Sequence, residues 1–262
     1  MKGINSINSM KLQEIKVITG TIVLKTGLHI GSGNTEMQIG GVDNLVIKHP
    51  HTQEPYIPGS SLKGKIRALL EYYYGIPPHS YKINKKQGGL AHHELLTKSS
   101  QDISIPREIV ENTRKILKIF GLSGSAGEVI LEEIGPTRVA FADCFFTEDY
   151  RKELEKNNHP YTEIKAENRI NRITGTAEHP RHTERVPAGA KFSFEITFKI
   201  FYEEDRELFK ELLKGMKLLE LDYLGGSGSR GYGRIKFEID SEDQRKEFED
   251  LNLFNGSPSK GS

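Results

Sequence analysis

A basic stretch that follows Pro58-Gly59 is the first part of the sequence that could bind a ligand. Its polar residues are Ser60, Ser61, Lys63, Lys65 and Arg67. Pro-Gly-Ser-Ser predicts the start of a helix, where unpaired amide groups and a partial positive charge favour a phosphate. The first and last of the basic residues lie four apart and share a face. A capped amphipathic helix with a solvated basic face would show the same pattern, so spacing alone leaves both interpretations open.

A second such segment is the loop 225–233, which contains five glycines. Its candidate RNA contacts are Gly226, Ser229, Arg230 and Tyr232. Amide groups in a glycine-rich loop can surround a phosphate, and the arginine and the tyrosine can hold RNA by charge and stacking. The loop lacks the Gly-Lys-Ser/Thr ending of an NTP-binding loop. The alternative is a tight connection between a helix and a strand.

Hydrophobic periodicity indicates the elements that position these segments. We predict strands near 15–25, 138–146, 191–202 and 234–239, and helices near 61–74 and 205–219. Residues 79–100 are predicted to be a loop, and helices are predicted near 106–120 and 148–156. The main elements spell βαββαβ, which predicts an α+β, ferredoxin-like (RRM-like) core with insertions. The open sheet face of such a core often binds RNA.

Composition restricts the class of protein without naming a function. The 262 residues are 35% hydrophobic and 28% charged, with 37 basic and 36 acidic residues. A nucleic-acid surface must therefore be a local patch. No run is apolar enough for a membrane span, the first residues lack a secretory signal, and Cys144 is the only cysteine. We expect a cytoplasmic protein with no membrane partner. His79, His92, His93 and Cys144 match no strong zinc pattern.

Three segments, in this order, resemble the RAMP superfamily of CRISPR proteins: residues 26–33 with 39–44, residues 56–67, and residues 221–233. The combination is most similar to the repeated backbone subunit of the type III-A (Csm) effector complex. The resemblance covers about residues 15–239. It implies one RAMP domain over residues 14–240, with insertions at about 75–135 and 160–190 that form lid and thumb regions. Residues 1–13 and 241–262 are predicted extensions, with 256–262 disordered.

The resemblance also assigns roles to residues. It implies that His29 and Lys63 contact a CRISPR guide RNA, and that a thumb hairpin near 165–177, with Arg169 and Arg172, interrupts the guide–target duplex. It implies that Asp43 cuts a single-stranded target RNA, once this is paired to the guide, at regular intervals in antiviral defence. Asp43 would act as a base or hold Mg²⁺ or Mn²⁺, with RNA phosphates completing the metal site. Further copies of the chain in a filament and other subunits of the complex are the implied protein partners.

Two other functions remain open from the residues. A scaffold that binds guide RNA while another subunit cuts would not need Asp43, because a lone loop aspartate is usually a turn or cap residue. A nuclease that processes precursor guide RNA without metal could use His29 as its base. The acids Asp143, Glu163 and Glu167 could join an active site, but their spacing does not select among them.

Overall fold

The computed structural model describes residues 10–33, 44–97, 105–122 and 126–254. The six strands are β1 (Glu14–Leu24), β2 (Val139–Phe141), β3 (Glu163–Ile170), β4 (Ala177–Arg185), β5 (Lys191–Ile200) and β6 (Ile235–Ile239). The helices are α1 (Gly59–Tyr73), α2 (Ile76–Ile83), α3 (Glu94–Thr97), α4 (Arg107–Phe120), α5 (Glu128–Ile134), α6 (Glu148–Asn157), α7 (Asp205–Leu221) and α8 (Glu242–Glu249).

Four of the strands form one antiparallel sheet in the order β2-β5-β1-β6. If these four strands are numbered 1 to 4 along the chain, their order in the sheet is 2-3-1-4. Helix α1 lies between β1 and β2 in the chain, and α7 lies between β5 and β6. That arrangement is the ferredoxin-like βαββαβ core, so the predicted fold class is confirmed.

One face of the sheet is buried under α1 and α7. In β5 every second side chain is buried, which is the alternation expected of a half-covered strand. Ile18 and Ile22 of β1 face the same core, where they join Leu62 and Ile66 of α1. On the opposite face Ile15 and Val17 are exposed.

The segment predicted as the loop 79–100 is helical over much of its length, and this corrects the prediction. It contains α2, a 3₁₀ turn at Lys85–Gln87, and α3. Pro77 and Pro78 occupy the first turn of α2, where the missing amide hydrogens cost nothing. Leu95 is fully buried. Periodicity misses these helices because each is only about two turns long or shorter.

Other predicted elements agree closely or in part. The predicted helices 106–120 and 148–156 correspond to α4 and α6. The strand predicted near 138–146 is regular only over three residues and continues as isolated bridges at Cys144 and Phe146. Helices α5 and α8 were not predicted. Phe248 of α8 is buried beside Phe237 of β6, with ring centroids 6.3 Å apart, so the core extends beyond residue 240.

The thumb region is a two-stranded sheet made by β3 and β4. A bulge between Glu167 and Arg169 shifts the register of the two strands. The residues predicted to be disordered, 256–262, lie outside the described residues, as does Asp43. Among the described residues, no helix is long and apolar enough to cross a lipid bilayer.

Candidate nucleic-acid interface

The N-terminus of α1 is occupied by a side chain of the protein itself. The Gly59 amide donates to Oδ1 of Asp143 at 2.8 Å, so a carboxylate already lies where a phosphate was predicted. A Cβ atom on Gly59 would overlap the carbonyl oxygen of Phe141, so the glycine is needed for the close approach of the protein's own backbone at this point. Ser60 is exposed and Ser61 half-buried. The Gly59 amide is therefore not available to a phosphate, whereas phosphate contact at the exposed Ser60 stays a prediction.

The basic residues of α1 divide into two groups. Nζ of Lys65 lies 2.6 Å from Asp222 and 3.9 Å from the ring centroid of Tyr223. Arg67 donates to the buried carboxylate of Glu71 at 2.8 Å and to the carbonyl of Ala91 at 2.7 Å. Both side chains therefore have partners within the protein, and their contact with RNA stays a prediction.

Lys63 is the basic residue of α1 that remains suited to RNA. It is half-buried, and among the described residues no carboxylate lies within ion-pair distance of its ammonium group. Burial, and then repulsion by the Arg67 charge, lowers the pKa of Lys63. A cation with few local partners gains the most from a phosphate, because that interaction replaces water without breaking an existing ion pair.

His29 is held by hydrogen bonds on two sides. Its Nδ1 lies 2.8 Å from the carbonyl oxygen of Glu184, and its own carbonyl oxygen accepts from the Gly226 amide at 2.8 Å. A carbonyl only accepts, so Nδ1 carries the hydrogen and Nε2 is available to another group. Nε2 accepts a hydrogen bond when the ring is neutral and donates one, for example to a phosphate, when it is protonated.

The glycine-rich loop packs directly on His29. Gly225 has φ +73°, and a Cβ atom there would overlap the His29 carbonyl oxygen, so only glycine fits this position. Amides of the loop donate to carbonyls of the protein: Gly226 to His29, Arg230 to Ser227, Gly231 to Gly228, Tyr232 to Ser227 and Gly233 to Gly27. These bonds occupy five amides of the loop, and phosphate binding by its other amides stays a prediction. Gly226 and Ser229 remain exposed at the surface.

Tyr232 has a structural role that also corrects the prediction. Its side chain is fully buried, so a base cannot stack on it. Nζ of Lys165 and the guanidinium of Arg185 lie 4.7 Å and 5.0 Å from the ring centroid, and the hydroxyl donates to Glu167 at 3.0 Å. Burial, followed by the hydrogen bond to Glu167, raises the pKa of Tyr232. Tyr232 therefore fastens the thumb hairpin to the glycine-rich loop.

A basic concave surface of about 560 Å³ lies where the hairpin meets this loop. The residues that line it are Lys165, Glu167, Asn168, Arg169, His179, Arg181 and Arg230. Its lysine and three arginines face one carboxylate. Glu167 accepts from Lys165 and from Arg230, at 3.3 Å and 3.0 Å. Burial alone would raise the pKa of Glu167, but the hydrogen bonds from Tyr232 and Lys165, together with the Arg230 charge, outweigh it and lower the pKa. The net positive potential suits a polyanion.

The outer part of the hairpin carries the other predicted thumb residues. Arg169 and Arg172 are exposed, in β3 and in the turn after it. The turn is closed by Oδ1 of Asn171, which accepts from the Ile173 and Thr174 amides. The Ile173 side chain is 96% exposed at this turn. An apolar side chain at the end of a basic hairpin is suited to packing against an unstacked base.

Asp43 lies outside the described residues, but the chain that follows it is well anchored. Asn44 is the first described residue after this gap, and its carbonyl accepts from the Glu184 amide at 3.0 Å. Ile47 donates to the Ile30 carbonyl at 2.8 Å, next to His29. The described chain therefore resumes at Asn44 between the His29 segment and the base of the hairpin.

The described residues offer no ready-made metal centre. Among them, no group of three or more His, Cys, Asp or Glu side chains could hold a metal ion. Cys144 is buried, and burial, followed by the nearby charge of Asp143, raises the pKa of its thiol to about 12. The predicted metal ligand, Asp43, falls in the gap before Asn44.

Comparison with known proteins gives the family. The family model described as "RAMP superfamily" matches residues 21–236. A protein of Methanocaldococcus jannaschii named "CRISPR system Cms endoribonuclease Csm3" is 42% identical over 233 residues, which cover 88% of this chain and 82% of that protein. The chain belongs to the RAMP superfamily.

Two further comparisons agree with this assignment. A Streptococcus thermophilus protein with the same Csm3 name is 39% identical over 87% of this chain and 89% of its own length. The crystal structure of Methanopyrus kandleri Csm3 has a TM-score of 0.55 and 27% identity, and the match covers 86% of this chain and 75% of that one. This RAMP chain therefore has solved structural relatives over most of its length.

The structure of this RAMP chain brings several predicted residues together and separates others. Gly226 bonds His29 and Arg230 bonds Glu167 of the hairpin, so the glycine-rich loop contacts both, while Ser60 and Lys63 lie on α1, which contacts Tyr223 just before this loop through Lys65. Sequence reasoning missed the buried carboxylate of Glu184. Acids alternate with bases along the hairpin, so this residue resembles its solvated neighbours in pattern.

Proposed function

We propose that the chain is a CRISPR RNA-binding backbone subunit of a type III-A effector complex and an endoribonuclease that cuts the target RNA paired to the guide. The observation that carries the proposal is the meeting of three parts of the RAMP fold at Asn44. The chain after Asp43, the His29 segment that follows β1 and the base of the basic hairpin share hydrogen bonds there. The relatives named Csm3 endoribonucleases support the activity.

RNA recognition by this surface is independent of sequence. The cations of the basic concave surface, with Lys63, Arg169 and Arg172, contact phosphates and sugars, and base pairing between guide and target supplies the specificity. The exposed hairpin turn separates neighbouring bases of the duplex. Because a phosphodiester reacts rapidly only when its nucleophile and leaving oxygen are aligned, such a distortion can set both the position and the rate of the cut.

Asp43 is proposed as the catalytic residue. Its carboxylate removes a proton from the attacking hydroxyl or holds Mg²⁺ or Mn²⁺. When bound, the ion offsets the negative charge that develops on the reacting phosphate. The metal requirement rests on the family resemblance and on the preference of Mg²⁺ for few protein ligands and many waters.

The test uses an assembled guide complex and a labelled complementary RNA. We expect Asp43→Ala to abolish cutting while guide and target binding persist, and we expect a chelator to have the same effect on the wild type. If Asp43→Ala cuts at the wild-type rate, the chain is either a guide-binding scaffold or a nuclease that uses another residue. Cutting of the target that resists the chelator would remove the metal from the proposal.

A further inference from the structure

One buried carboxylate connects the chain after Asp43 to the hairpin. Oε2 of Glu184 accepts from the Val46 amide at 3.0 Å, and Oε1 accepts from Nζ of Lys48 at 2.6 Å and from the hydroxyl of Thr162 at 2.7 Å. The Glu184 residue is 5% exposed. A carboxylate that is removed from water is favourable only when its oxygens are well bonded, and here both are.

The main chain of the same residue adds two bonds to the same region. The Glu184 amide donates to the Asn44 carbonyl at 3.0 Å, and the Glu184 carbonyl accepts from Nδ1 of His29 at 2.8 Å. Asn44 and Thr183 form a parallel bridge beside these bonds. The segment from Asn44 to Lys48 is thus bound at both ends and at its centre by a single residue of β4.

The chemistry of Glu184 also fits a constraint that stays in place during the reaction. Burial alone would raise the pKa of Glu184, but hydrogen bonds from Lys48, Thr162 and Val46 outweigh it and lower the pKa. The carboxylate is therefore ionised at neutral pH, and its bonds to Val46 and Lys48 are charge-assisted and strong.

We infer that Glu184 is a positioning residue for RNA cleavage, which holds the Asn44–Lys48 segment, the chain directly after Asp43, in register with the thumb hairpin. The inference rests on the proposed function, since it assigns Glu184 an effect that passes through Asp43. Glu184 does not itself touch the reacting atoms. Its effect is geometric, because the same residue fixes the Asn44–Lys48 segment and belongs to the strand that carries the hairpin.

Glu184→Gln is the sharpest perturbation, because it keeps the shape of the side chain. An amide has one accepting oxygen, so its NH₂ group must face either the Val46 amide or the Lys48 ammonium, and at least one bond is broken. A displacement of about 1 Å caused by a residue away from the chemistry can cost about 100-fold in rate. We expect the single-turnover cleavage rate of the assembled guide complex to fall at least about tenfold, with the affinities for guide and complementary RNA unchanged.

Glu211→Gln is the matched control. Glu211 is also buried, and it bonds the hydroxyl of Tyr74 and the ammonium groups of Lys115 and Lys214. These partners belong to the helical side of the protein. We expect Glu211→Gln to lower thermal stability as Glu184→Gln does, while its cleavage rate stays at the wild-type value.

A comparison of cleavage rate with guide binding separates positioning from a general loss of structure. A wild-type rate for Glu184→Gln, or a loss of guide binding in parallel with rate, would each overturn the inference while leaving Asp43 catalytic. A wild-type rate for Asp43→Ala would overturn both proposals.

Lys48→Met gives a second route if Glu184→Gln does not fold. The Lys48 side chain is 29% exposed, so a methionine can replace it with little disturbance of the core. It removes the 2.6 Å bond to Glu184 and leaves the Val46 bond in place. A slower cut with unchanged guide binding supports the inference, and an unchanged rate overturns it.

Discussion

The different partners of the basic residues of α1 lead to a quantitative prediction about RNA binding. Lys63 has no carboxylate partner among the described residues, whereas Arg67 is bonded to Glu71 and to the Ala91 carbonyl. Removing one cation that binds a phosphate of single-stranded RNA lowers the slope of log affinity against log salt by about 0.7, which corresponds to about fourfold in affinity near 0.15 M salt. We expect Lys63→Ala to show both changes, with no loss of stability.

Arg67→Ala should give the opposite pattern. It removes the arginine from a carboxylate that is only 3% exposed and leaves Glu71 with the Ala91 amide as its remaining described partner. The loss of a charge-assisted bond to a buried group costs about 2 kcal/mol, below the cost of a fully buried pair because the arginine is partly exposed. For a chain of this size, that loss lowers the melting temperature by about 5 °C, and the salt slope of RNA binding should not change.

The assay is fluorescence anisotropy of a labelled single-stranded RNA over a series of KCl concentrations, together with thermal unfolding of each variant. Lys65→Ala serves as a second control, because Lys65 is paired with Asp222 and covers Tyr223. The reasoning fails if Arg67→Ala lowers the salt slope as much as Lys63→Ala does. It also fails if Lys63→Ala leaves both the slope and the affinity unchanged.

Three further predictions follow from the buried polar groups. Tyr232→Phe removes the hydroxyl bond to Glu167, so thermal unfolding should show a loss of about 1 kcal/mol, while RNA affinity stays unchanged because the whole side chain is buried; a loss of affinity without destabilisation would show that the hydroxyl contacts RNA. The lowered pKa of Glu184 stabilises the fold above the unfolded-state value of about 4.3. Its contribution should therefore disappear as pH falls through the lower folded-state value, and the stability gap between wild type and Glu184→Gln, measured by chemical denaturation, should close there. A gap that is independent of pH would contradict this. Burial raises the pKa of Cys144 to about 12, so an alkylating reagent at neutral pH should modify the unfolded chain and spare the native one, as mass spectrometry would show; equal rates would refute it.

The core of the fold could be predicted because its signals are local and repeated. In β5, apolar residues from Phe192 to Ile200 alternate with polar ones, and α7 carries its apolar face over all its turns. Patterns of that length leave little choice of element type. The order of such elements then restricts the sheet to few topologies. The short helices α2, α3 and α5 lack this redundancy, since tertiary packing such as the burial of Leu95 decides their conformation.

Side-chain partners could not be predicted in the same way, because they depend on contacts between distant residues. Lys63, Lys65 and Arg67 look equivalent in the sequence. Only the fold brings Asp222 close to Lys65 and the Ala91 carbonyl close to Arg67. The same limit applies to Tyr232, whose aromatic ring beside an arginine is typical of RNA binding but is buried by the hairpin. Residue type indicates what a side chain can do, and burial decides which of those roles remains.

Glu184 shows the most consequential form of this limit. Along β4 it is one of two acids among several bases, and alternation of charge is typical of a solvated strand. Its burial arises because the Asn44–Lys48 segment, far earlier in the chain, folds over β4 and supplies two of its donors. A residue whose partners come from three separate segments can couple them, since moving any one of them breaks bonds to the others. If cleavage depends on the register between a loop aspartate and a hairpin, such a residue is the place where that register is set.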